Sequence, residues 1–320
     1  MCGMGEIEYQ AGLHRLTGNT YAYLQPPGTW GFSNCGLVVG EGEALLVDTQ
    51  FTLPLTRRLL AAVEEAVPGV PVTTVVTTHA NGDHAWGTQL LPDAVTMGSE
   101  ATAHGMADEI PPQALSALAR SPEGASPLGD YARRFFGHFD FDGIVLTPPA
   151  KTFTGEAEVT VGGIPAQLIE VGPAHTSGDV IVHVPGEGVL FAGDILFIDD
   201  HPVMWTGPVR NWIAACERIA ATGAEFVVPG HGPVTDVAGV LVFRDYLAYL
   251  DEHARESFRR GLRYWEAAMA LALPEPFASW GHRERVVMSF AAIYRELGDR
   301  DAADPMAVLH RTAEAYQRLP

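Results

Sequence analysis

Residues 79–84, His-Ala-Asn-Gly-Asp-His, place two imidazoles, a carboxylate and an amide within six positions. They follow Val72-Thr73-Thr74-Val75-Val76-Thr77-Thr78, a β-branched run that predicts a buried strand. A strand that delivers such a turn must end where polar side chains can converge, and this restricts the fold more than any other segment. Imidazole nitrogen and carboxylate oxygen are ligands for zinc, and a short turn can aim several of them at one point without occupying core volume. One isolated histidine would read as an ordinary turn residue. This cluster reads as part of a metal site.

Three more polar residues close later strand-like runs. His175 lies in Val171-Gly172-Pro173-Ala174-His175 after the run 167–170, Asp194 ends the run 188–194, and His231 follows Phe226-Val227-Val228-Pro229-Gly230. Gly or Ala stands beside each, which permits close backbone approach and sharp turns. Singly they read as a loop histidine, a helix N-cap and a turn residue. In this order they supply the missing metal ligands.

The order His79-x-Asn81-x-Asp83-His84, His175-Thr176-Ser177-Gly178-Asp179, Phe191-Ala192-Gly193-Asp194 and Pro229-Gly230-His231-Gly232 resembles the metallo-β-lactamase superfamily over about residues 30–235. The resemblance implies an α/β fold, a four-layer αββα sandwich with a helical C-terminal extension. Residues 1–235 would form the catalytic domain, with 98–150 as an insertion or lid, and 236–320 the extension packed on it. The resemblance puts His79 and His175 at a first metal position and Asp83, His84 and His231 at a second, with Asp194 bridging them. Asn81 stands where the family has a third first-site histidine. A neutral amide oxygen is a weaker zinc donor than imidazole nitrogen. The expected cofactor is one or two zinc ions, and two readings of the first site stay open: Asn81 ligates and both sites fill with zinc, or the first site is weaker and suits manganese or iron.

Such a metal lowers the pKa of its bound water to about 7 in favourable cases, and the hydroxide attacks a carbonyl. The expected reaction is hydrolysis of an ester, thioester or lactone. Asp83 and Asp194 are the catalytic candidates, as the carboxylates nearest that water. Asp48 and Asp179 read either as residues that orient the ligands through hydrogen bonds or as plain turn carboxylates. The extension, with Pro274-Glu275-Pro276-Phe277 and Arg285-Val286-Val287, is loosely similar to thioesterase/cyclases of bacterial aromatic polyketide pathways. That similarity implies a small-molecule acyl or thioester substrate, aromatic and carrier-tethered. A glyoxalase II-like general thioester hydrolase and a non-catalytic binding protein with a degenerate site are the alternatives.

The net charge of −19 argues against nucleic acid, because polyanion binding rests on phosphate neutralisation by Lys and Arg. No run approaches 18 apolar residues, so no transmembrane helix and no membrane partner are expected. The start, Met1-Cys2-Gly3-Met4-Gly5-Glu6, lacks a basic segment and an apolar core, so no secretory signal is read there. Cys2, Cys35 and Cys216 are odd in number and widely spaced, which favours a reducing, cytoplasmic setting. Oligomeric state is left open.

Local patterns predict a hairpin over 35–48, a helix over 53–67, a helix opening at 84–91, strands at 156–161, 164–171, 180–184 and 188–192, and a helix over 208–221. The second half of the sandwich is expected to begin near Lys151. In the insertion, Phe135 and Phe136 are expected to pack into the core rather than cap the site, and His104 and His138 have no assigned role. Trp205 and Trp212, with His201, read either as an aromatic mouth or as core filler. In the extension, Arg255, Arg259, Arg260 and Arg263 form a basic stripe at helical spacing. It could dock phosphates, or be a solvated face balanced by Asp251, Glu252 and Glu256.

Overall fold

The computed structural model describes residues 7–319. Cys2 and the segment Met1–Glu6 lie outside the described residues. The first half contains β1 (Gly12–Arg15), β2 (Thr20–Leu24), β3 (Cys35–Val39), β4 (Ala44–Val47), α1 (Leu53–Ala66), β5 (Val72–Val76), α2 (Gly82–Ala85), β6 (Val95–Ser99), α3 (Glu100–Gly105), α4 (Pro112–Ala119), α5 (Pro127–Phe136) and β7 (Lys151–Phe153). The second contains β8 (Glu156–Val161), β9 (Ile164–Glu170), β10 (Val180–Val184), β11 (Val189–Phe197), α6 (Val209–Thr222) and β12 (Phe226–His231). Four helices follow: α7 (Val237–Arg259), α8 (Tyr264–Ala270), α9 (Val286–Glu296) and α10 (Pro305–Arg318).

Two sheets form, one in the order β1-β2-β3-β4-β5-β6-β7 and one in the order β12-β11-β10-β9-β8. Their strands alternate between two apolar faces, as a period of two requires. Val38, Leu45, Val47 and Val76 point inward to meet Leu168, Val180, Val182, Phe191 and Val228 of the other sheet. Leu37, Leu46 and Val75 point outward and are covered by Leu59 and Val63 of α1. On the far side Ile181, Leu190 and Val227 are covered by Trp212, Ile219, Phe243 and Leu247 of α6 and α7. Each element therefore buries one apolar face against the next, and the result is the expected αββα sandwich. Helix α1 starts where Thr52 caps the backbone N–H of Leu55 and a proline occupies the first turn.

Three details differ from the local reading. Lys151–Phe153 does not open the second half; it runs parallel to β6 as the edge of the first sheet. The helix after the metal motif is a single turn, Gly82–Ala85, because the chain then turns through a 3₁₀ segment at Thr88–Leu90. Asp194 lies inside β11 rather than at its end. The register between β11 and β12 shifts on either side of Gly193, and such an irregularity re-aims a side chain out of the regular pleat.

Helix α7 ends at Arg259, so Arg263 lies beyond the stripe. Arg255 pairs with Asp251 at 2.7 Å and Glu296 at 2.9 Å, and Arg259 pairs with Glu256 at 2.6 Å. These are the contacts of a balanced face. Leu128 and Tyr131 of α5 pack against Leu309 and Ala313 of α10. No helix among the described residues is long and apolar enough to cross a membrane.

Candidate metal centre

Two strand ends, the irregular middle of a third strand and one turn bring the motif residues together. β5 runs into His79, Asn81, Asp83 and His84; the turn between β9 and β10 carries His175; β11 carries Asp194; and β12 ends at His231. β4, β5 and β6 are mutually parallel, as are β11 and β12, so each group of C-terminal ends is neighbouring. Two clusters result, His79–His175–Asp194 and Asp83–His84–His231, each with its ligand atoms within 4.8 Å of one another. Asp194 joins them. Its Oδ2 lies 3.3 Å from His175 Nε2 and 3.5 Å from His231 Nε2, while its Oδ1 lies 3.0 Å from His84 Nε2. Asn81 Oδ1 stands 2.8 Å from His175 Nε2. All seven predicted residues therefore meet.

Whether they fit a metal follows from the protons. A neutral imidazole carries one N–H and one lone pair, and the partner of one nitrogen determines which is which. His175 Nδ1 donates to the Val203 carbonyl at 2.7 Å, and His231 Nδ1 donates to the Gly28 carbonyl at 2.9 Å. His84 Nδ1 donates to Asp48 Oδ2 at 2.9 Å. The Thr78 hydroxyl donates to Asp48 Oδ2 at 2.8 Å and so accepts from His79 Nδ1 at 2.9 Å. Every Nδ1 is thereby committed as a donor, and four Nε2 lone pairs face the oxygens of Asn81, Asp83 and Asp194 with no proton between them. His79 Nε2, His84 Nε2 and Asp194 Oδ1 are buried without a hydrogen-bond partner. Convergent, orphaned acceptors in a dry site call for a cation.

The charge balance agrees. Burial would raise Asp194, but His84, His231, His175 and His79 hold it well below the usual carboxylate range. Burial pushes His79 and His175 down. For His84 burial acts in the same direction, yet Asp194, Asp83 and Asp48 outweigh it and keep the ring well above the usual value. His231 is likewise lifted to about 9, against burial, by Asp194 and Asp83. The buried carboxylates thus demand positive charge at this point, which a bound cation would supply.

Asp48 has the orienting role. Its Oδ1 accepts from the Thr78 N–H at 2.7 Å, so one buried carboxylate aligns both His79 and His84. Asp179 acts one step back. It accepts from the backbone N–H and hydroxyl of Thr176 and from the Ala174 N–H, which shapes the turn that carries His175. Burial raises Asp179 to about 7 against those bonds.

Above the centre lies a cavity open at one side. Trp30, Phe51, Trp86, Phe136, Phe197 and Trp205 line it, and most of its lining is apolar. Phe136 and Trp205 thus belong to the site. Phe135 instead packs on Tyr131 and Tyr316. Trp212 is core, with Nε1 donating to the Ile195 carbonyl at 2.8 Å. His201 is not at the mouth; it is fully buried and bonded to the Tyr246 hydroxyl at 2.6 Å. His138 stacks on Phe32, and His104 is exposed. Cys35 and Cys216 are buried and free.

Sequence reasoning missed Glu109, which lines the cavity and accepts from the Asn81 amide at 2.8 Å. Nothing in its local pattern, Asp-Glu-Ile-Pro-Pro, marks it. Burial lifts it to about 7, although the Asn81 bond lowers it. Trp86, two residues after His84, also lines the cavity.

The profile of the metallo-beta-lactamase superfamily matches residues 28–231. The chain belongs to this superfamily. Among curated proteins, this metallo-beta-lactamase-superfamily chain is 26% identical over 205 residues to the 2,4-dinitroanisole O-demethylase subunit alpha of Nocardioides sp. (strain JS1661), covering 61% of this chain and 51% of that one. It is 25% identical over 222 residues to metallo-beta-lactamase type 2 of Bacteroides fragilis, covering 67% and 75%. Among solved structures it resembles the stereoselective inverting sec-alkylsulfatase from Pseudomonas sp., with a TM-score of 0.70 and 16% identity over 92% of this chain and 51% of that one. It also resembles the metallo-beta-lactamase from Pontibacter korlensis, with a TM-score of 0.56 and 20% identity over 75% and 99%. These structural likenesses establish the fold. The chain spans about half the length of the demethylase subunit and of the sulfatase.

Proposed function

We propose that this superfamily member is a metal-dependent hydrolase that cleaves an ester or thioester carbonyl of an aromatic acyl substrate, as a thioesterase/cyclase would. The observation that carries the reading is the set of four Nε2 lone pairs and two carboxylates at the floor of an aromatic cavity. Zinc suits such nitrogen and oxygen donors. When bound, it would supply an acidic water and a Lewis acid for the carbonyl. The chain's own residues do the rest. His79, His175, Asp194 and Asn81 would hold one ion, and Asp83, His84, His231 and Asp194 the other. Asp83, more exposed than Asp194, would orient the attacking water and pass a proton toward the leaving group. Trp30, Trp205 and Phe136 exclude water and offer faces on which an aromatic acyl group stacks. A small-acyl, glyoxalase II-like substrate would leave the aromatic walls uncovered, so the aromatic reading is preferred.

One second reading has an observation behind it. The curated relative named a 2,4-dinitroanisole O-demethylase subunit suggests hydrolysis of an activated aryl ether in the same cavity. The test measures metal content of the purified protein and turnover of a benzoyl thioester, an acetyl thioester and 2,4-dinitroanisole, before and after chelation. The proposal expects benzoyl thioester turnover at least tenfold above acetyl, lost on chelation and restored by zinc. Turnover of the ether alone would favour the second reading. Chelation-insensitive activity, or none with metal loaded, would refute both.

A further inference from the structure

The departure at Asn81 and the stray carboxylate of Glu109 explain each other. An asparagine side chain presents an acceptor oxygen on one side and a donor NH2 on the other, and its neighbours decide which way round it sits. Here the two neighbours make opposite demands. His175 Nε2 is a lone pair, because its Nδ1–H is spent on the Val203 carbonyl. In the absence of a metal it would prefer the NH2. Glu109 is an acceptor, and it too demands the NH2. The observed arrangement satisfies Glu109: Nδ2 donates to its Oε1 at 2.8 Å, and Oδ1 faces His175 Nε2 at 2.8 Å, acceptor against acceptor. That second contact is unfavourable in the protein alone and favourable once a cation lies beside both atoms.

We infer that Glu109 is a positioning residue that keeps the Asn81 oxygen turned toward the first metal site, and that through it occupancy of this site fixes the 106–111 segment of the cavity wall. The inference rests on the metal-centre reading and goes beyond it. Without Glu109 the amide is free to turn over. Its NH2 then bonds to His175 Nε2 and turns donor protons rather than an acceptor oxygen toward the metal position, so a metal must displace a hydrogen bond to enter. With Glu109 the turned-over state sets the amide oxygen against a carboxylate. Glu109 stands in the connection between α3 and α4, which also brings Ile110 to the cavity. Since linkage is reciprocal, a metal that selects one amide orientation also strengthens the Asn81–Glu109 bond and orders that connection.

The test is zinc titration of the full chain at pH 8 against a chromophoric chelator, for the wild type, Glu109→Ala and Glu109→Gln, with amide hydrogen exchange over 106–111 at zero, one and two equivalents of zinc. The glutamine retains an acceptor oxygen. The expected result is two binding steps in the wild type, with one of them weakened about 10- to 100-fold in Glu109→Ala, the other unchanged, and most of the loss recovered in Glu109→Gln. Exchange in 106–111 should slow only with the step that Glu109→Ala weakens. Equal affinities in all three proteins, or equal weakening of both steps, would overturn the role of Glu109 while leaving the metal centre standing. A wild type that binds no zinc would overturn the metal centre itself, and this inference with it.

Discussion

Asp48→Asn is the perturbation whose effect can be worked out furthest. Asp48 has a positive φ of 66°, a conformation that asparagine tolerates as well as aspartate, so the backbone should keep its path. The consequence lies in the hydrogen bonds. Oδ1 can remain an amide oxygen and still accept from the Thr78 N–H. Oδ2, which receives the Thr78 hydroxyl and His84 Nδ1–H, becomes an NH2 and faces two donors. The hydroxyl can rotate, but His84 can resolve the conflict only by moving its proton to Nε2. That nitrogen lies 3.0 Å from Asp194 Oδ1, so the relocated proton gains a charge-assisted bond worth about 1.5–3 kcal/mol. A metal must break that bond to bind, which converts to a loss of about 10- to 150-fold in affinity at the second site. The first site keeps His79, whose Nδ1 still donates to the Thr78 hydroxyl, and should lose less. Chelator competition reads the two affinities, and ¹⁵N chemical shifts of the imidazoles read the tautomer of His84. If His84 keeps its Nδ1–H and both affinities match the wild type, the tautomer argument for the whole centre is wrong.

Other outcomes follow from the same geometry. A Cβ at Gly230 would collide with Asp194 Oδ1 and the Gly193 backbone; Gly230→Ala should therefore displace the bridging carboxylate and lower metal content, and two tightly held metals in that variant would contradict the placement of Asp194. Trp205→Ala should raise KM for a benzoyl thioester about tenfold, the value of burying part of an aromatic ring, with little change in kcat or toward an acetyl thioester; an unchanged KM would remove the stacking wall from the account. Burial, with Arg283 adding to it, depresses His201 to about 3, so the unfolded chain binds a proton below about 6.5 that the folded chain refuses. That contribution to stability is present above pH 6.5 and declines as pH falls toward 3, by about 1.4 kcal/mol per unit. Urea unfolding at pH 7 and 5 should show the wild type losing about 2 kcal/mol relative to His201→Asn, whereas parallel pH profiles would speak against it. Trp212→Ala removes a fully buried ring and should destabilise by about 3–5 kcal/mol in the same assay, since no neighbouring side chain can refill that volume.

Much of the site was legible in the chain because metal ligands must be particular residue types near strand ends, and that requirement leaves a local pattern. His79, Asp83 and His84 stand out from their own few neighbours, and His175, Asp194 and His231 from the order of the motifs. The sandwich was legible as what the resemblance of the motif order implies; which of Leu37 and Val38, or of Val227 and Val228, faces which core is set by the sheet packing, because a continuous apolar run carries no alternation. Elements at the edges were less legible. Lys151–Phe153 is too short to declare which sheet it joins, and only its pairing with Met97–Ser99 places it. The Arg255–Arg263 spacing suggested a stripe, but helix α7 ends before Arg263, and Glu296 from a distant helix neutralises Arg255.

The residues that surround the metal ligands belong to a different class of information. Glu109 is 28 residues from the amide that it holds, and α5 and α10, far apart in the chain, together close one wall of the cavity. A single side chain in such a contact carries no periodicity, because its partner lies across space rather than along the strand or helix. From the chain alone came the motif order, with the sandwich that its resemblance implies and the His and Asp donor set of the centre, because ligand types at strand ends leave a local pattern. Which proton each histidine gives away, which way Asn81 faces, and which aromatics border the cavity were decided only by the packing that sets Asp48, Val203, Gly28 and Glu109 against them.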